Sequence, residues 1–376
     1  MYKKINQTYI LGIFCGFLIS CKGSAQNFSI KNVSQNLISK YYSPNYTNEY
    51  YKNSNIFFVG VDSSFLKEND HTDIIQKAID NNENILLPDA TLFINKNGLK
   101  IGSNKRIIFQ KNTKIKFLGP AHERFSDILK IYNVHNVEII NAVIVGSRNN
   151  KIEQTGQWSA GISILNSKNI KIVNPKISET YGDGIFIGSE DGGFSEEVIV
   201  SGGWVDSARR NGISITSGKN VKVQNILISN TYGHDPESGI DIEPSWYKDI
   251  LENISVQNVY TFNNGSAGIS VNLNALGADE LKDAKITSIL IEGHTDFGSR
   301  HGFLTSLNAE KNKFDTAGNI IIKNAEWISS RDIAYWKTPQ EHRVNIIFSR
   351  IKINDTQKLQ DFELNVRKSK NIKLTR

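Results

Sequence analysis

Two short stretches, Asn220-Val221-Lys222-Val223-Gln224-Asn225 and Gly239-Ile240-Asp241-Ile242, decide the fold, because both recur along the chain. The first returns as Asn136-Val137-Glu138-Ile139-Ile140-Asn141, Asn169-Ile170-Lys171-Ile172-Val173-Asn174, Asn253-Ile254-Ser255-Val256-Gln257-Asn258 and Asn319-Ile320-Ile321-Ile322-Lys323-Asn324. The second returns as Gly161-Ile162-Ser163-Ile164, Gly184-Ile185-Phe186-Ile187, Gly212-Ile213-Ser214-Ile215, Gly268-Ile269-Ser270-Val271 and the weaker Gly302-Phe303-Leu304, with glycines 23, 28, 27, 29 and 34 residues apart. Branched apolar residues alternate with polar ones, which is strand periodicity, and the flanking Asn suits turns in left-handed backbone or side-chain ladders. Ankyrin and TPR repeats need helices, and leucine-rich repeats need their own Leu spacing; neither is present. The repeat therefore predicts an all-β parallel β-helix, about three short strands per coil, with inward Ile and Val stacked as the core.

Working outward, Asp73-Ile74-Ile75-Gln76-Lys77-Ala78-Ile79-Asp80 has helical spacing, with Ile75, Ala78 and Ile79 on one face and Asp70 or Thr72 as N-cap. It predicts a helix plugging the first coil. Seven prolines in 376 residues agree with central parallel strands, which need every backbone donor. Length alone would suggest two domains; the repeat predicts one solenoid over 56–376.

Lys3 and Lys4 precede a short apolar run, Ile10 to Ile19, that ends in Leu18-Ile19-Ser20-Cys21. This resembles the lipobox of bacterial lipoproteins. The resemblance implies a signal peptide over 1–20, a lipid on Cys21, a polar tether over 21–55 and anchorage at the bacterial outer membrane. An ordinary secretory signal cut near Ala25 is the alternative. Cys15 and Cys21 are the two cysteines, so the body has no internal disulfide and no cysteine metal site. The net charge of +6 is interspersed with acids, which argues against nucleic acid as a partner.

The opening Val61-Asp62, Thr72-Asp73-Ile74-Ile75-Gln76-Lys77-Ala78-Ile79 and Leu86-Leu87-Pro88, with the coils that follow, resembles the pectate-lyase-like superfamily of right-handed parallel β-helices over roughly residues 56–356. That superfamily includes lyases, hydrolases, epimerases and phage depolymerases, so the resemblance carries fold further than activity. It implies an acidic polysaccharide or oligosaccharide as partner, and a monomer is expected.

Equivalent positions in successive coils stack about 4.8 Å apart. Ser163, Phe186, Ser214, Asp241 and Ser270 then form one outward ladder, and Leu165, Gly188, Thr216, Glu243 and Asn272 a second. One rung carries acids in both, and Asp and Glu are poor strand residues, so Asp241 and Glu243 are the candidate catalytic pair; a surface charge pair is the bland alternative. The turn before this strand forms a third column, Asp183, Asn211, Ser238, Ala267 and His301, flanked by Arg209, Arg210, Glu237 and Arg300. His234 sits in an insertion, His234-Asp235-Pro236-Glu237-Ser238, just before the acidic strand. Trp158, Tyr181, Trp204, Tyr232, Trp246 and Tyr247 lie in turns and strand ends of these coils, as candidate sugar platforms or as core caps. Arg300 and His301 join the substrate-binding set. Glu190 and Asp191 read as solvated.

Three activities fit. In β-elimination on a uronic acid, Asp241, Glu243, Asp183 and Asn211 would hold a calcium ion, with Arg210, Arg209, His234 or His301 as base or carboxylate clamp. A chain-end dehydratase is a variant of that chemistry. In inverting glycoside hydrolysis, Asp241 and Glu243 at i and i+2 have Cβ atoms about 6.5–7 Å apart, and their carboxyls would flank a water at about 6.5–9.5 Å. The third is a non-catalytic glycan-binding surface protein. Elimination is the leading expectation, and pectin, alginate, ulvan and host glycans all remain open as substrates.

Overall fold

Alternating branched and polar residues make strands, and register between coils makes three parallel sheets. The computed structural model describes residues 28–46, 56–60, 69–119, 125–149, 156–276, 285–307, 316–332, 334–338 and 343–375. Among these, sheets of 12, 10 and 9 strands run the length of the molecule, and every pairing is parallel between successive coils. One coil runs Ser195–Ser201 in sheet 1, Trp204–Asp206 in sheet 2 and Ile213–Ile215 in sheet 3. Inward Val198, Val200, Val205, Ile213 and Ile215 have no exposed surface and join one continuous core with their counterparts. The expected single solenoid is what forms.

The asparagines do what their spacing implies. Asn136, Asn141, Asn169, Asn174, Asn220, Asn225, Asn253 and Asn258 all have φ between 52° and 58°. Their amides also stack: Asn169 Nδ2 donates to Asn136 Oδ1 at 2.8 Å, and Asn253 Nδ2 to Asn220 Oδ1 at 2.8 Å. Asn tolerates left-handed backbone and satisfies buried polar groups across coils. Other residues take these positions in some coils: Glu197 and Gly202 around Ser195–Ser201, Gly293 after Lys285–Glu292 and Arg350 after Arg343–Ser349.

The glycine column has a steric cause rather than a turn requirement. A Cβ at Gly212 would lie 2.2 Å from Ile228 Cγ2 and 2.6 Å from the Gly239 carbonyl oxygen; one at Gly184 would meet Val205 and the Gly212 carbonyl. Sheets 2 and 3 converge here, and only hydrogen fits between them.

Helices close both ends. Helix α1 (Gln35–Tyr41) lies outside the solenoid; α2 (Thr72–Asn81) buries Ile75, Ala78 and Ile79 as expected. His71 occupies the N-cap position of α2, and Asp70 reaches past it to accept from Thr72 N at 2.9 Å. Helix α3 (Thr356–Lys368) caps the other end and was not foreseen. Its N-cap Asp355 accepts from Lys358 N, and Phe362 packs edge-on against Trp327 and Phe348. Its apolar face is narrow, with Phe362 and Val366 its buried residues.

The tether expected over 21–55 is corrected in part. Residues 28–46 lie against the solenoid wall. Asn263 Nδ2 donates to Ser29 O, Asn230 exchanges hydrogen bonds with the Lys31 backbone, Gly203 N donates to Tyr41 O, and Asn141 Nδ2 donates to Asn45 O. Exposed ends of the Asn ladder supply the partners that a free tether would lack. The signal peptide and Cys21 lie outside the described residues.

The core is not wholly apolar. His294 and Asp296 take the positions that Val259 and Ile228 hold in earlier coils. A buried chain runs from Trp327 Nε1 to His294 Nδ1 (3.4 Å), from His294 Nε2 to Thr261 Oγ1 (2.8 Å), and from Thr261 Oγ1 to Asp296 Oδ1 (2.7 Å). Burial lowers the His294 pKa to about 3, and burial raises Asp296 to about 6 against its hydroxyl donors. Folded His294 binds fewer protons than the unfolded chain, so its contribution to stability falls as pH drops from about 6.5 toward 3. Folded Asp296 binds more, so its contribution rises as pH drops from about 6 toward 3.8. The two oppose each other in the native protein. In His294→Gln the Asp296 contribution stands alone. The stability of that variant relative to the parent is therefore expected to rise by about 1.4 kcal/mol per pH unit between pH 6 and 4. Urea unfolding across that range checks it, and parallel curves for the two proteins refute the assignment.

Candidate active site

Sheet 3 presents the columns read from the sequence. Ser163, Phe186, Ser214, Asp241 and Ser270 are in register, and the ladder extends backward to Lys130 and Lys100 and forward to Leu304. The turn from sheet 2 to sheet 3 supplies the neighbouring column. There a side chain in one coil caps the backbone of the next: Asp183 Oδ1 accepts from Asn211 N at 3.0 Å, and Asn211 Oδ1 accepts from Ser238 N at 2.9 Å. Asp127, two coils before Asp183, does the same for Ala160 N at 2.6 Å. Part of Asp183's role is thus structural.

Three carboxyls converge on one guanidinium. Arg210 Nη1 lies 3.0 Å from Asp183 Oδ2 and 3.3 Å from Ser214 Oγ, and Nη2 lies 3.9 Å from Glu243 Oε2. Asn211 Nδ2 donates to Ser214 Oγ at 3.0 Å and to Asp241 Oδ2 at 3.3 Å, while Asn272 Nδ2 donates to Glu243 Oε1 at 2.7 Å. Asp241 is 2% exposed, although its strand face points outward, because Arg210, Asn211 and Glu243 cover it. Glu243 keeps 35% of its side chain exposed, and Arg210 keeps 14%.

Burial lifts the Asp241 pKa well above the usual carboxylate range, and repulsion from Glu243 and Asp183 adds to this against the pull of Arg210. Asp241 Oδ1 is buried with no hydrogen-bond partner among the described residues, which leaves one oxygen of this carboxyl unsatisfied. For Arg210, burial alone would lower the pKa, but the fields of Asp183, Asp241 and Glu243 prevail and raise it. Arg210 is therefore a fixed cation.

The expected calcium set does not fit. Arg210 occupies the space among the carboxyls. Asn211 and Asn272 turn their amide N–H groups toward them, whereas Ca²⁺ takes six to eight oxygens. The site is lined by hydrogen-bond donors.

Other expected residues stand apart. Arg209, 1% exposed, lies over the Tyr181 ring at 4.1 Å and donates to Gly156 O, so neither Arg209 nor the buried Tyr181 reaches the site surface. Adjacent arginines in an extended turn point to opposite sides, and one of them goes inside. Tyr232 is stacked on Phe28 at 4.4 Å and bears the Arg148 guanidinium at 3.5 Å, so its ring is not open to a sugar. His234 contacts the Asp235 carbonyl, and the insertion is held by Glu237 Oε1, which accepts from Gly233 N. Arg300 and His301 face Asp332, at 2.8 and 3.9 Å. Trp158, Trp246 and Tyr247 are exposed by 41%, 47% and 46%, as a sugar platform requires. Trp246 and Tyr247 sit on a loop pinned by Asp249, which accepts from Ser245 N and Trp246 N. The sequence reading omitted Asp127, Lys130 and Tyr132, which the register places on the same face; extending the Gly column by one coil to Ile128-Leu129 would have found them.

No family model matches the chain. It is 32% identical over 190 residues to the uncharacterized protein YclG of Bacillus subtilis (strain 168), a match covering 45% of this chain and about 30% of that relative's length. Among solved structures it is similar to endo-xylogalacturonan hydrolase from Aspergillus tubingensis (TM-score 0.58, 14% identity, 79% of this chain and 84% of that one). It is also similar to an exopolygalacturonase from Thermotoga maritima (0.56, 11%, 85% and 84%) and to a polygalacturonase from Erwinia carotovora ssp. carotovora (0.51, 12%, 93% and 100%). At these identities the likeness is one of fold: a right-handed parallel β-helix.

If Arg210 neutralises the cluster, Arg210→Leu leaves Asp183 and Glu243 without their cation. It is expected to cost about 3–5 kcal/mol in urea unfolding, with part recovered in Arg210→Leu/Asp183→Asn. A loss below about 1 kcal/mol, typical of an exposed pair, would contradict the clamp.

Proposed function

We propose that the protein is a carbohydrate-active enzyme that cleaves glycosidic bonds in an acidic polysaccharide or oligosaccharide by hydrolysis. The observation that carries the reading is the cluster of acids on the outer face of sheet 3, with buried Asp241 and accessible Glu243 on one strand and Arg210 set between Glu243 and Asp183. A carboxyl whose pKa is raised, as burial raises that of Asp241, is what protonation of a leaving oxygen needs. Glu243 meets the substrate, and Asp241 behind it is the carboxyl whose raised pKa suits it to supply the proton. Asp183, on the far side of the Arg210 guanidinium from Glu243, is the second carboxylate within reach for activating water. Trp158, Trp246 and Tyr247 supply stacking surfaces at the strand ends. The shared fold with an endo-xylogalacturonan hydrolase and two polygalacturonases lends support.

Elimination, the leading expectation from sequence, fits this geometry less well. It needs a cation free to pair with the substrate carboxylate and a base at C5–H. Arg210 is already engaged by Asp183 and Glu243, and its raised pKa denies it the role of base. Placement on the outer membrane through Cys21 remains part of the proposal, carried by the lipobox-like Leu18-Ile19-Ser20-Cys21.

Incubation with a panel of uronate-containing polysaccharides separates the reactions. Hydrolysis releases reducing ends with no rise in ultraviolet absorbance from an unsaturated uronate. Asp241→Asn and Glu243→Gln are each expected to lower kcat at least about 10²-fold while leaving the unfolding midpoint in place. An absorbance rise would establish elimination instead, and full turnover in both variants would remove the pair from the mechanism.

A further inference from the structure

The outward ladder that ends at Asp241 begins with two lysines. Lys100 and Lys130 are direct neighbours in register on adjacent strands of sheet 3. Like charges in that relation destabilise a sheet. Elsewhere the chain avoids this: on sheet 1, Lys168 faces Glu196 at 2.8 Å, Lys219 faces Glu252 at 3.5 Å, Lys323 faces Glu292 at 3.1 Å, and Arg106 faces Glu138 at 2.9 Å. Neither the Lys100 nor the Lys130 ammonium has a hydrogen bond or ion pair among the described residues. The Lys130 stem is laid down over the Gly98 backbone, whose φ of 63° and lack of a Cβ leave it room. Beside it, the buried Asp127 carboxyl is fully engaged by Tyr132 Oη and Ala160 N, so it contributes a field without capturing the ammonium. Burial lowers the Lys130 pKa; Asp127 opposes this, and Lys100 adds to the lowering. An anion between the two lysines would relieve their repulsion.

Between this pair and the acidic rung lie Ser163, Phe186 and Ser214, in register. Phe186 is half-buried and rests against Gly188, leaving part of its ring as a platform midway. Four rungs separate Lys130 from Asp241, roughly 19 Å, a distance that a short oligosaccharide spans.

We propose that the Lys100–Lys130 end of sheet 3 is a distal subsite for a negatively charged sugar, one bearing a carboxylate or a sulfate, on a glycan chain laid along the sheet. The inference rests on reading sheet 3 as the glycan-cleaving face, and it adds the place where the substrate's charge is read and a minimum length. Native affinity electrophoresis of the full chain carrying Glu243→Gln, which leaves the polymer uncut, tests it in gels containing polygalacturonate, ι-carrageenan or neutral hydroxyethylcellulose. Retardation is expected in at least one anionic gel and not in the neutral one. Lys100→Gln and Lys130→Gln are each expected to weaken it about fivefold, with Lys171→Gln on sheet 1 as an unchanged control. Retardation by polygalacturonate alone assigns a carboxylate, by carrageenan alone a sulfate, and by both a subsite that reads charge. Should half-buried Lys130→Gln fail to fold, the exposed Lys100→Glu carries the test and is expected to abolish retardation. No retardation in either anionic gel, or the same loss with Lys171→Gln, overturns the subsite. Lysine-dependent retention without bond cleavage in the wild-type assay sinks the hydrolase reading alone, whereas cleavage without lysine-dependent retention sinks the subsite alone.

Discussion

Everything on the functional face depends on one close approach. Where sheets 2 and 3 converge, the backbone of each coil passes so near the next that a Cβ at Gly212 would fall 2.6 Å from the Gly239 carbonyl oxygen. With glycine there, Ile213 pairs with Ile240 and Ile240 with Ile269, and slippage by one residue would turn every inward Ile outward. This register brings Asp183, Arg210 and the Asp241–Glu243 strand, from three successive coils, to one place on the sheet, with Arg210 against Asp183 and Glu243. A larger residue at the glycine would shift not one contact but the whole column.

The same rigidity explains how a costly charge cluster persists. Asp183 and Glu243 share one largely buried cation, Asn211 and Asn272 donate to one oxygen each of Asp241 and Glu243, and Asp241 Oδ1 is left without a partner, a cost the stacked coils hold in place. Asn211 serves both ends of the argument: its backbone N–H and side-chain carbonyl belong to the turn column that stacks the coils, and its amide N–H₂ belongs to the site. Scaffold and site share atoms.

Much of this was legible in the sequence, for a physical reason. A solenoid converts spacing along the chain into stacking in space, so the recurring Gly-Ile-x-Ile gave the Asp241–Glu243 rung and the Asp183–Asn211–Ser238 column correctly. What was not legible is where a side chain turns within its turn. Arg209 and Arg210 are identical in composition and adjacent, yet one packs inside on Tyr181 and the other meets the carboxyls. Tyr232 looked like a sugar platform until Phe28, some 200 residues away in sequence, stacked on it. Helix α3 escaped because two buried residues make too narrow a stripe to stand out.

The distribution of charge separates scaffold from function on the two faces. Sheet 1 spends its outward positions on alternating Lys–Glu rungs that offset one another, and such pairs stabilise little but repel little. Sheet 3 does the reverse, concentrating acids at one rung and lysines four rungs away. A fold that shows on one face how readily it can neutralise neighbouring coils, and does not do so on the other, leaves unbalanced charge where a charged chain would lie. On the proposed reading, the polarity of that imbalance, cation at the first coils and acid at the middle ones, would give a bound glycan a direction as well as a place.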